Sequence, residues 1–423
     1  MSNLITSKGG LFVVFLMVLL ASSIIAAPPS FVHIKHGGVN EPARLALGDL
    51  DKDGDLDLVS CNIGTDDISI FYNDGFGNFS LGVTITPLYE PFFPVLADLD
   101  NDGDLDLGTA NISSGTVSVF QNNGTGTLET PTDYSIGGVP HSLFAGDLDK
   151  DGDLDLIIAN WEGEDSIAIL SNNGDGSFAP VVKLGSGSFP SQAIAVDVDN
   201  DNDLDIISAN RGTNDVWIFK NNGDGTFGSP QSYSGSIGAH SASSGDVNKD
   251  GFLDILVSDF DNTQISVFNN LGDGSFTSPT HYTANSRPAQ VAVGDFDLDG
   301  DLDAAATNFF GGNFSYYENL GSGTFASKVD YLTGSGSGDI VAGDMDGDGK
   351  LDLAVANDYE HTISVFLSYE CPHFQSRDLY LHSTLRLTDI VKLIQETPRR
   401  GPAALHPCFV DVRYFINYLF GDR

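Results

Sequence analysis

The chain has 423 residues, of which 59 are acidic and 19 are basic, and its formal net charge is −40. This excess of negative charge argues against the basic surfaces that bind nucleic acid. An apolar fraction of 41% and 48 glycines indicate a folded, turn-rich protein and not a disordered one.

Residues 1–27 are predicted to be a signal peptide. Lys8 precedes an apolar segment of 17 residues that ends in small residues, and this order is typical of a secretory signal cleaved near Ala26 or Ala27. We therefore expect a secreted, extracellular protein with no membrane span after cleavage. The alternative is an uncleaved anchor, because 17 residues lie at the lower edge of spanning length.

Residues 28–368 repeat one unit seven times. An aspartate-rich loop recurs every 49 or 50 residues, which is typical of an architecture with one supersecondary unit per repeat. The seven loops begin at Asp49, Asp98, Asp147, Asp197, Asp246, Asp295 and Asp344.

Each unit contains four short strand-like segments and no helical periodicity. In residues 188–235, AIAVDVD precedes the loop, DIISAN follows it, VWIFKN follows a polar turn, and GSPQSYSG lies beyond the glycine-rich hairpin NGDGTF. Four antiparallel strands repeated seven times predict an all-β, seven-bladed β-propeller.

The last unit stops after its third strand, at Ser368. Residues 30–38, SFVHIKHGG, match the outer strands of the other units. We therefore predict that the N-terminal strand completes the last blade, which closes the ring and removes its exposed sheet edges.

The first loop, GDLDKDGDLDL at residues 48–58, places five aspartates at alternate positions. Carboxylates this close repel each other unless a cation lies between them. The pattern D-x-D-x-D-G-x-L-D offers side-chain oxygens at loop positions 1, 3, 5 and 9 and a backbone carbonyl at position 7, an all-oxygen set that suits Ca²⁺. No Glu occupies position 12 and no helix flanks the loop, so we expect a strand-to-strand connection wrapped around calcium.

This unit resembles the FG-GAP/VCBS repeat of integrin α-subunit propellers and of many secreted repeat proteins. The resemblance rests on the loop pattern, the upstream Gly-Asp and the NGDG-Phe hairpin, and it covers residues 30–368. It implies up to seven structural calcium ions, each bound weakly, at about 10⁻⁴–10⁻³ M.

The resemblance implies metal-ligand positions in all seven loops. They are Asp49, Asp51, Asp53, Asp55 and Asp57; Asp98, Asp100, Asp102, Asp104 and Asp106; Asp147, Asp149, Asp151, Asp153 and Asp155; Asp197, Asp199, Asp201, Asp203 and Asp205; Asp246, Asn248, Asp250, Phe252 and Asp254; Asp295, Asp297, Asp299, Asp301 and Asp303; and Asp344, Asp346, Asp348, Lys350 and Asp352. Position 7 is expected to act through its carbonyl, which tolerates Phe252 and Lys350. Asn202 replaces the glycine of the fourth loop, and Asn248 removes one charge from the fifth, which we predict to bind most weakly.

The face opposite the aspartate loops is predicted to carry irregular, bulky residues: Arg44, Phe92, Phe93, His141, Trp161, Arg211, His240, Phe260, Phe309, Phe310 and Tyr359. Aromatic side chains and arginine are typical of binding surfaces. We predict a ligand face that includes Arg44, His141, Trp161, Arg211, His240 and Tyr359, with Trp161 and Arg211 exposed. The alternative is that several of these aromatics pack between blades.

The predicted function is that of a calcium-binding, adhesion-type module, a monomer that binds an extracellular protein or glycan. The alternative is an extracellular polysaccharide lyase or related carbohydrate-active enzyme, since some of these use propellers with this repeat. No nucleophile motif, zinc spacing or phosphate loop is visible, and His141 and His240 belong to different units. The sequence therefore predicts no catalytic residue and no cofactor besides calcium.

The remaining features are minor. Residues 369–423 lack the repeat, and TDIVKLIQE at 388–396 predicts one or two helical turns; a docking appendage and a reading-frame or exon-prediction error are both open. Cys61 is expected to be a small buried residue, and Cys371 and Cys408 could pair. Four glycosylation sequons begin at Asn78, Asn111, Asn123 and Asn313.

Overall fold

The computed structural model describes residues 28–86, 88–161 and 165–369. They form seven four-stranded antiparallel sheets, which confirms the predicted seven-bladed β-propeller. Apart from a 3-10 turn at Asp358–Glu360, the described residues contain no helix, and none of them forms a helix able to cross a membrane. The predicted signal peptide, the helical turns of the tail and the Cys371–Cys408 pair lie outside the described residues.

Each of the first six blades is a consecutive four-stranded meander. Blade 1 has β2 (Pro42–Gly48), β3 (Asp57–Asn62), β4 (Asp67–Asn73) and β5 (Phe79–Ile85); blade 2 has β6 (Pro91–Ala97), β7 (Asp106–Asn111), β8 (Thr116–Phe120) and β9 (Thr132–Ser135); blade 3 has β10 (Pro140–Gly146), β11 (Asp155–Asn160), β12 (Ser166–Leu170) and β13 (Val182–Gly185). Blade 4 has β14 (Pro190–Val196), β15 (Asp205–Asn210), β16 (Asp215–Phe219) and β17 (Gln231–Ser234); blade 5 has β18 (Ala239–Gly245), β19 (Asp254–Asp259), β20 (Gln264–Phe268) and β21 (Thr280–Thr283); blade 6 has β22 (Pro288–Gly294), β23 (Asp303–Asn308), β24 (Asn313–Tyr317) and β25 (Val329–Leu332).

Blade 7 combines the two ends of the repeat region. It contains β26 (Ser337–Gly343), β27 (Asp352–Asn357), β28 (Thr362–Tyr369) and, as its outer strand, β1 (Ser30–His36). The β1–β28 pairing is antiparallel and runs from Ser30 opposite Tyr369 to His36 opposite Ile363. The last strand therefore includes the first residue of the predicted tail, and chain ends that are far apart in sequence share one sheet.

The core lies between blades. All six residues of the second strand in every blade are buried, because this strand is covered on both faces by the neighbouring blades. Such strands are continuous runs of small and β-branched residues, as in DLIIAN of β11, whereas the outer strands are largely exposed. Between blades 2 and 3, for example, Leu156 and Ile158 pack with Ala110 and Val117.

In blades 1 to 6, an asparagine at the end of the third strand ties the blade to the preceding one; blade 7 has Ser368 at this position. The side-chain amide of the asparagine donates to a carbonyl of its own aspartate loop and to the position 2 carbonyl of the loop before; Asn221, for example, donates to Leu204 at 3.0 Å and Leu148 at 2.7 Å. Asn73 donates to Met345 of blade 7 at 2.8 Å and so spans the ring closure. The same bonds are made by Asn122, Asn172, Asn270 and Asn319.

Burial corrects two of the four predicted glycosylation sites. Asn78 and Asn123 lie exposed in hairpins. Asn111 is 1% exposed and donates to Ser118 Oγ at 2.8 Å, and Asn313 is 9% exposed and accepts from Asn308. The predictions for Asn111 and Asn313 are therefore wrong for the folded chain, because their amides are engaged between strands. Cys61 is free and buried, as predicted.

We expect Asn221→Ala to lower the free energy of unfolding by about 2–4 kcal/mol, because two carbonyl oxygens at the blade interface lose their donor. Urea denaturation in the presence of calcium measures this. The matched control is Asn222→Ala, whose exposed amide donates only locally to Thr226 Oγ1 at 2.9 Å. Equal effects of the two substitutions would contradict a role for Asn221 in joining blades.

Candidate functional site

The aspartate loops lie on one face of the ring, where each joins the first and second strands of its blade. Within several loops the carboxylates converge, with one oxygen from each of three aspartates lying within 4.8 Å of the others. These clusters could hold a metal ion. They are Asp49, Asp51 and Asp53; Asp98, Asp100 and Asp106; Asp147, Asp149 and Asp151; Asp197, Asp199 and Asp205; and Asp295, Asp297 and Asp299.

The backbone of each loop holds its first aspartate in place. In the first loop, the amide of Gly54 donates to Asp49 at 3.0 Å, and the φ of Gly54 is +97°. In the fourth loop, Asn202 makes the equivalent bond to Asp197 at 2.9 Å with a φ of +66°. Asparagine tolerates this left-handed conformation, so the replacement of glycine leaves the turn intact.

The position 9 aspartate of every loop is buried, and in six of the seven loops it accepts two backbone hydrogen bonds; Asp254 accepts one, from Asn270 at 2.8 Å. Asp155, for example, accepts from Leu148 at 3.1 Å and from Asn172 at 2.8 Å. Burial raises the pKa of this carboxyl to about 6 in Asp57, Asp106, Asp155, Asp205 and Asp254, and to about 7 in Asp303 and Asp352. A cation beside these carboxylates would offset the cost of keeping them charged and buried.

The side chain at position 7 has a role that the sequence analysis missed. The ammonium groups of Lys52, Lys150 and Lys249, at position 4, form ion pairs with Asp104, Asp203 and Asp301 at position 7 of the next loop. Asn101, at position 4 of the second loop, makes the corresponding contact without a charge: it donates to Asp153, at position 7 of the third loop, at 2.6 Å. The position 7 aspartates thus connect neighbouring loops through their side chains. The recurrence of Lys at position 4 in alternate loops was the available signal.

The fifth loop, which is predicted to bind calcium most weakly, differs from the other loops at position 3. Asn248 directs its amide nitrogen toward Asp254 at 3.5 Å, whereas the other loops present only oxygen at position 3. A donor pointing inward reduces the attraction of the site for a cation.

The opposite face brings the predicted bulky residues together around the ring axis. Ring centroids lie 4.6 Å apart for Phe92 and His141, 4.3 Å for His141 and Trp161, and 5.7 Å for His141 and His240. The series continues through His240–Phe260 at 4.7 Å, Phe260–Phe309 at 6.2 Å and Phe309–Tyr359 at 5.2 Å. These rings surround an axial cavity of about 180 Å³ lined by Arg44, Phe92, His240, Phe260, Phe309 and Asp358.

The residues of the predicted ligand face differ widely in their exposure to solvent. Tyr359 is 55% exposed, whereas Arg44 is 6% and His240 7% exposed. The expectation that all six residues form the surface is therefore wrong for Arg44 and His240, which form the wall of the axial cavity. The prediction that Trp161 and Arg211 are exposed is wrong, since both are half-buried. They stack on each other and on neighbouring rings.

The two histidines lie in different blades but meet at the axis. The Nδ1 atom of His141 lies 2.7 Å from the Ser191 carbonyl, and that of His240 lies 2.9 Å from the Ala289 carbonyl. A carbonyl can only accept, so Nδ1 carries the proton in both rings and Nε2 has the lone pair. Burial, together with the charge of Arg44, lowers the pKa of both imidazoles, that of His141 to about 3, and both are neutral at neutral pH.

Arg44 is the cation of the axial cavity. Its Nη1 donates to the carbonyls of Ala43 at 3.2 Å and Gly338 at 2.8 Å, while its buried Nε has no partner among the described residues. Asp339 accepts from the Leu45 amide at 2.7 Å. Burial raises the pKa of the Asp339 carboxyl, and the charge of Arg44 opposes this rise.

We predict that His141 makes the protein less stable in acid. Because its pKa is lowered on folding, the unfolded chain takes up a proton below about pH 6.5 and the folded chain does not. Between pH 7.5 and 5.0, the free energy of unfolding of the wild type should fall by about 2 kcal/mol more than that of His141→Gln. Parallel pH profiles of the two proteins in urea denaturation would contradict a neutral, half-buried His141.

The metal clusters make a second prediction. With calcium at about ten times its dissociation constant, each occupied loop should add about 1.4 kcal/mol to stability. We expect Asp149→Asn to reduce the calcium-induced rise in melting temperature and to remove one binding event in calorimetric titration. The control is Asp175→Asn, which removes the same charge from an exposed hairpin of the same blade. Loss of a binding event in the control as well would count against a specific site at Asp149.

Known structures resemble this chain in fold alone. BBS1N in complex with ARL6DN has 11% identity and a TM-score of 0.60, covering 82% of this chain and 100% of that one. Virginiamycin B lyase from Staphylococcus aureus has 12% identity and a TM-score of 0.57, covering 80% and 99%. A lectin from Agrocybe aegerita that recognises non-reducing terminal N-acetylglucosamine has 20% identity and a TM-score of 0.49, covering 71% and 80%.

No curated protein matches the chain significantly. The model of the FG-GAP-like repeat matches six overlapping segments, residues 49–109, 98–158, 147–208, 197–257, 246–306 and 304–355. Since these matches extend over well more than half of the sequence, the chain belongs to the family of FG-GAP-like repeat proteins.

Proposed function

We propose that this protein is a secreted, calcium-stabilised propeller that binds an extracellular protein or glycan through the face opposite its aspartate loops. The contrast between the two faces supports this proposal. The loop face repeats nearly unchanged from blade to blade, whereas the opposite face carries a non-repeating set of aromatic and arginine side chains around the axial cavity. Variable groups on a repeated scaffold are where binding usually resides.

Calcium is the proposed metal because of the donor set. Each cluster presents carboxylate oxygens only, and hard oxygen ligands in a flexible loop suit calcium better than transition metals, which prefer nitrogen or sulfur donors. The asparagine bonds between blades attach six of the seven loops to the next blade. Calcium would therefore support ligand binding indirectly, by holding the ring that carries the opposite face.

An enzyme is the second candidate, supported by the two histidines beside Arg44. Their unprotonated Nε2 atoms are bases, and the Arg44 cation could stabilise an anion, as a polysaccharide lyase requires. A general base works best when its pKa lies near the working pH, and the pKa of His141 is lowered to about 3. Similar folds serve different functions, and the contrast between the two faces is the reason that we favour binding.

The test is a screen of the secreted protein on glycan and protein arrays, in calcium and again in EDTA. We expect calcium-dependent capture of a ligand without turnover. Release of unsaturated sugar products, followed by ultraviolet absorbance, would favour the lyase and overturn the proposal.

Matched variants locate the binding face. Phe310 and Tyr359 are 53% and 55% exposed, so the Phe310→Ala and Tyr359→Ala double variant should fold normally and weaken binding by about tenfold or more. The control is Phe76→Ala, an aromatic residue that is 66% exposed in a hairpin on the aspartate-loop face. Weaker binding by the control alone would place the ligand on the other face.

A further inference from the structure

Five side chains on the face opposite the aspartate loops alternate between aromatic rings and guanidinium groups. In order across blades 3 to 6 they are Trp161, Arg211, Phe260, Arg287 and Phe310, which we call the ladder. The Cζ of Arg211 lies 5.4 Å from the centroid of Trp161 and 4.6 Å from that of Phe260. The Cζ of Arg287 lies 5.2 Å from Phe260 and 4.8 Å from Phe310. At these distances each guanidinium is attracted to the aromatic rings on either side of it. This attraction holds the five side chains of the ladder in place.

The two arginines of the ladder differ in their partners. Arg211 donates from Nε and Nη2 to both carboxylate oxygens of Asp261, each at 2.7 Å. Arg287 is exposed, and within residues 28–86, 88–161 and 165–369 its guanidinium has neither a hydrogen bond nor an ion pair. Asp261 lies near enough for Arg287 to help lower its pKa, but both of its carboxylate oxygens already accept from Arg211. Two rings thus orient a guanidinium whose donors are free, and an arginine held in this way loses little entropy when it binds a carboxylate.

The axial cavity borders the ladder through Phe260, which contributes to both. Its walls are mainly apolar, with the side chains of Arg44 and Asp358 among them. Its volume of about 180 Å³ is below the range of roughly 300–1,000 Å³ of sites that enclose a small molecule. The cavity therefore suits the side chain of a larger ligand.

We propose that the ladder and the axial cavity bind an acidic segment of a partner protein. An aspartate or glutamate of that segment pairs with Arg287, and a neighbouring apolar side chain enters the cavity. This inference rests on the proposed binding function and specifies its ligand.

The chemistry of the walls favours a peptide over a sugar. A sugar ring carries several hydroxyl groups, and leaving them without partners against Phe92, Phe260 and Phe309 would be costly. A short segment with one carboxylate beside an apolar residue matches both the free guanidinium and the apolar cavity.

The experiment uses the full secreted chain in calcium, probed with an array of short synthetic peptides and an array of carboxylated glycans. The peptides pair Leu or Phe with Asp or Glu, and matched peptides contain Asn or Gln instead. We expect binding of the acidic peptides that weakens with added salt, with a loss of about 10-fold to 100-fold when the carboxylate is replaced by an amide.

Variants test the role of Arg287. Arg287→Gln should abolish the preference for acidic over amide peptides, and Arg287→Lys should restore only part of it, because lysine keeps the charge and loses the paired donors. Lys328→Gln removes the same charge from the outer edge of blade 6 and should bind like the wild type. The melting temperatures should match, since the side chain of Arg287 is exposed.

The outcomes separate the two proposals. Capture of carboxylated glycans without acidic peptides, or an unchanged preference in Arg287→Gln, would overturn the acidic-peptide inference and leave the binding function standing. Failure of every peptide, protein and glycan to bind would contradict the binding function itself.

Discussion

Repulsion among the aspartates of each loop is the constraint on which the rest of the structure depends. The same backbone amides that form the turn, such as that of Gly54 on Asp49, also gather the carboxylate oxygens into one small volume. A divalent cation reverses the sign of this interaction. Because an asparagine of the following blade donates to each of six loops, the loops and the ring are stabilised together.

Much of the fold could be predicted from the sequence, because the period and the alternation of strands are local patterns. The contacts around the ring axis could not be predicted in this way, because they join residues that are far apart in the sequence. His141 and His240 meet only because the ring brings nonadjacent blades together at its centre, and the partners of Lys52 and Lys150 lie one repeat away. Burial of Arg44 and of Asn111 likewise depends on how closely neighbouring blades pack.

The two faces of the ring differ in charge as well as in the side chains that they carry. Most of the negative charge of the repeats lies in the loops of one face, while Arg44, Arg211 and Arg287 gather near the axis of the other. The aromatic rings between these cations reduce their exposure to water and keep them apart. Asp261 is paired with Arg211, and Asp339 and Asp358 lie near Arg44, so a negatively charged group would be attracted at short range mainly by Arg287.

The shared seventh blade also has a consequence for biosynthesis. β1 leaves the ribosome first, yet its hydrogen-bonding partner β28 is the last strand of the repeats to be made. The nascent chain must therefore keep one strand edge unsatisfied throughout translation, a situation that favours mispairing with other chains. Closure late in synthesis makes this single non-local pairing a step at which chaperones would act on the growing polypeptide.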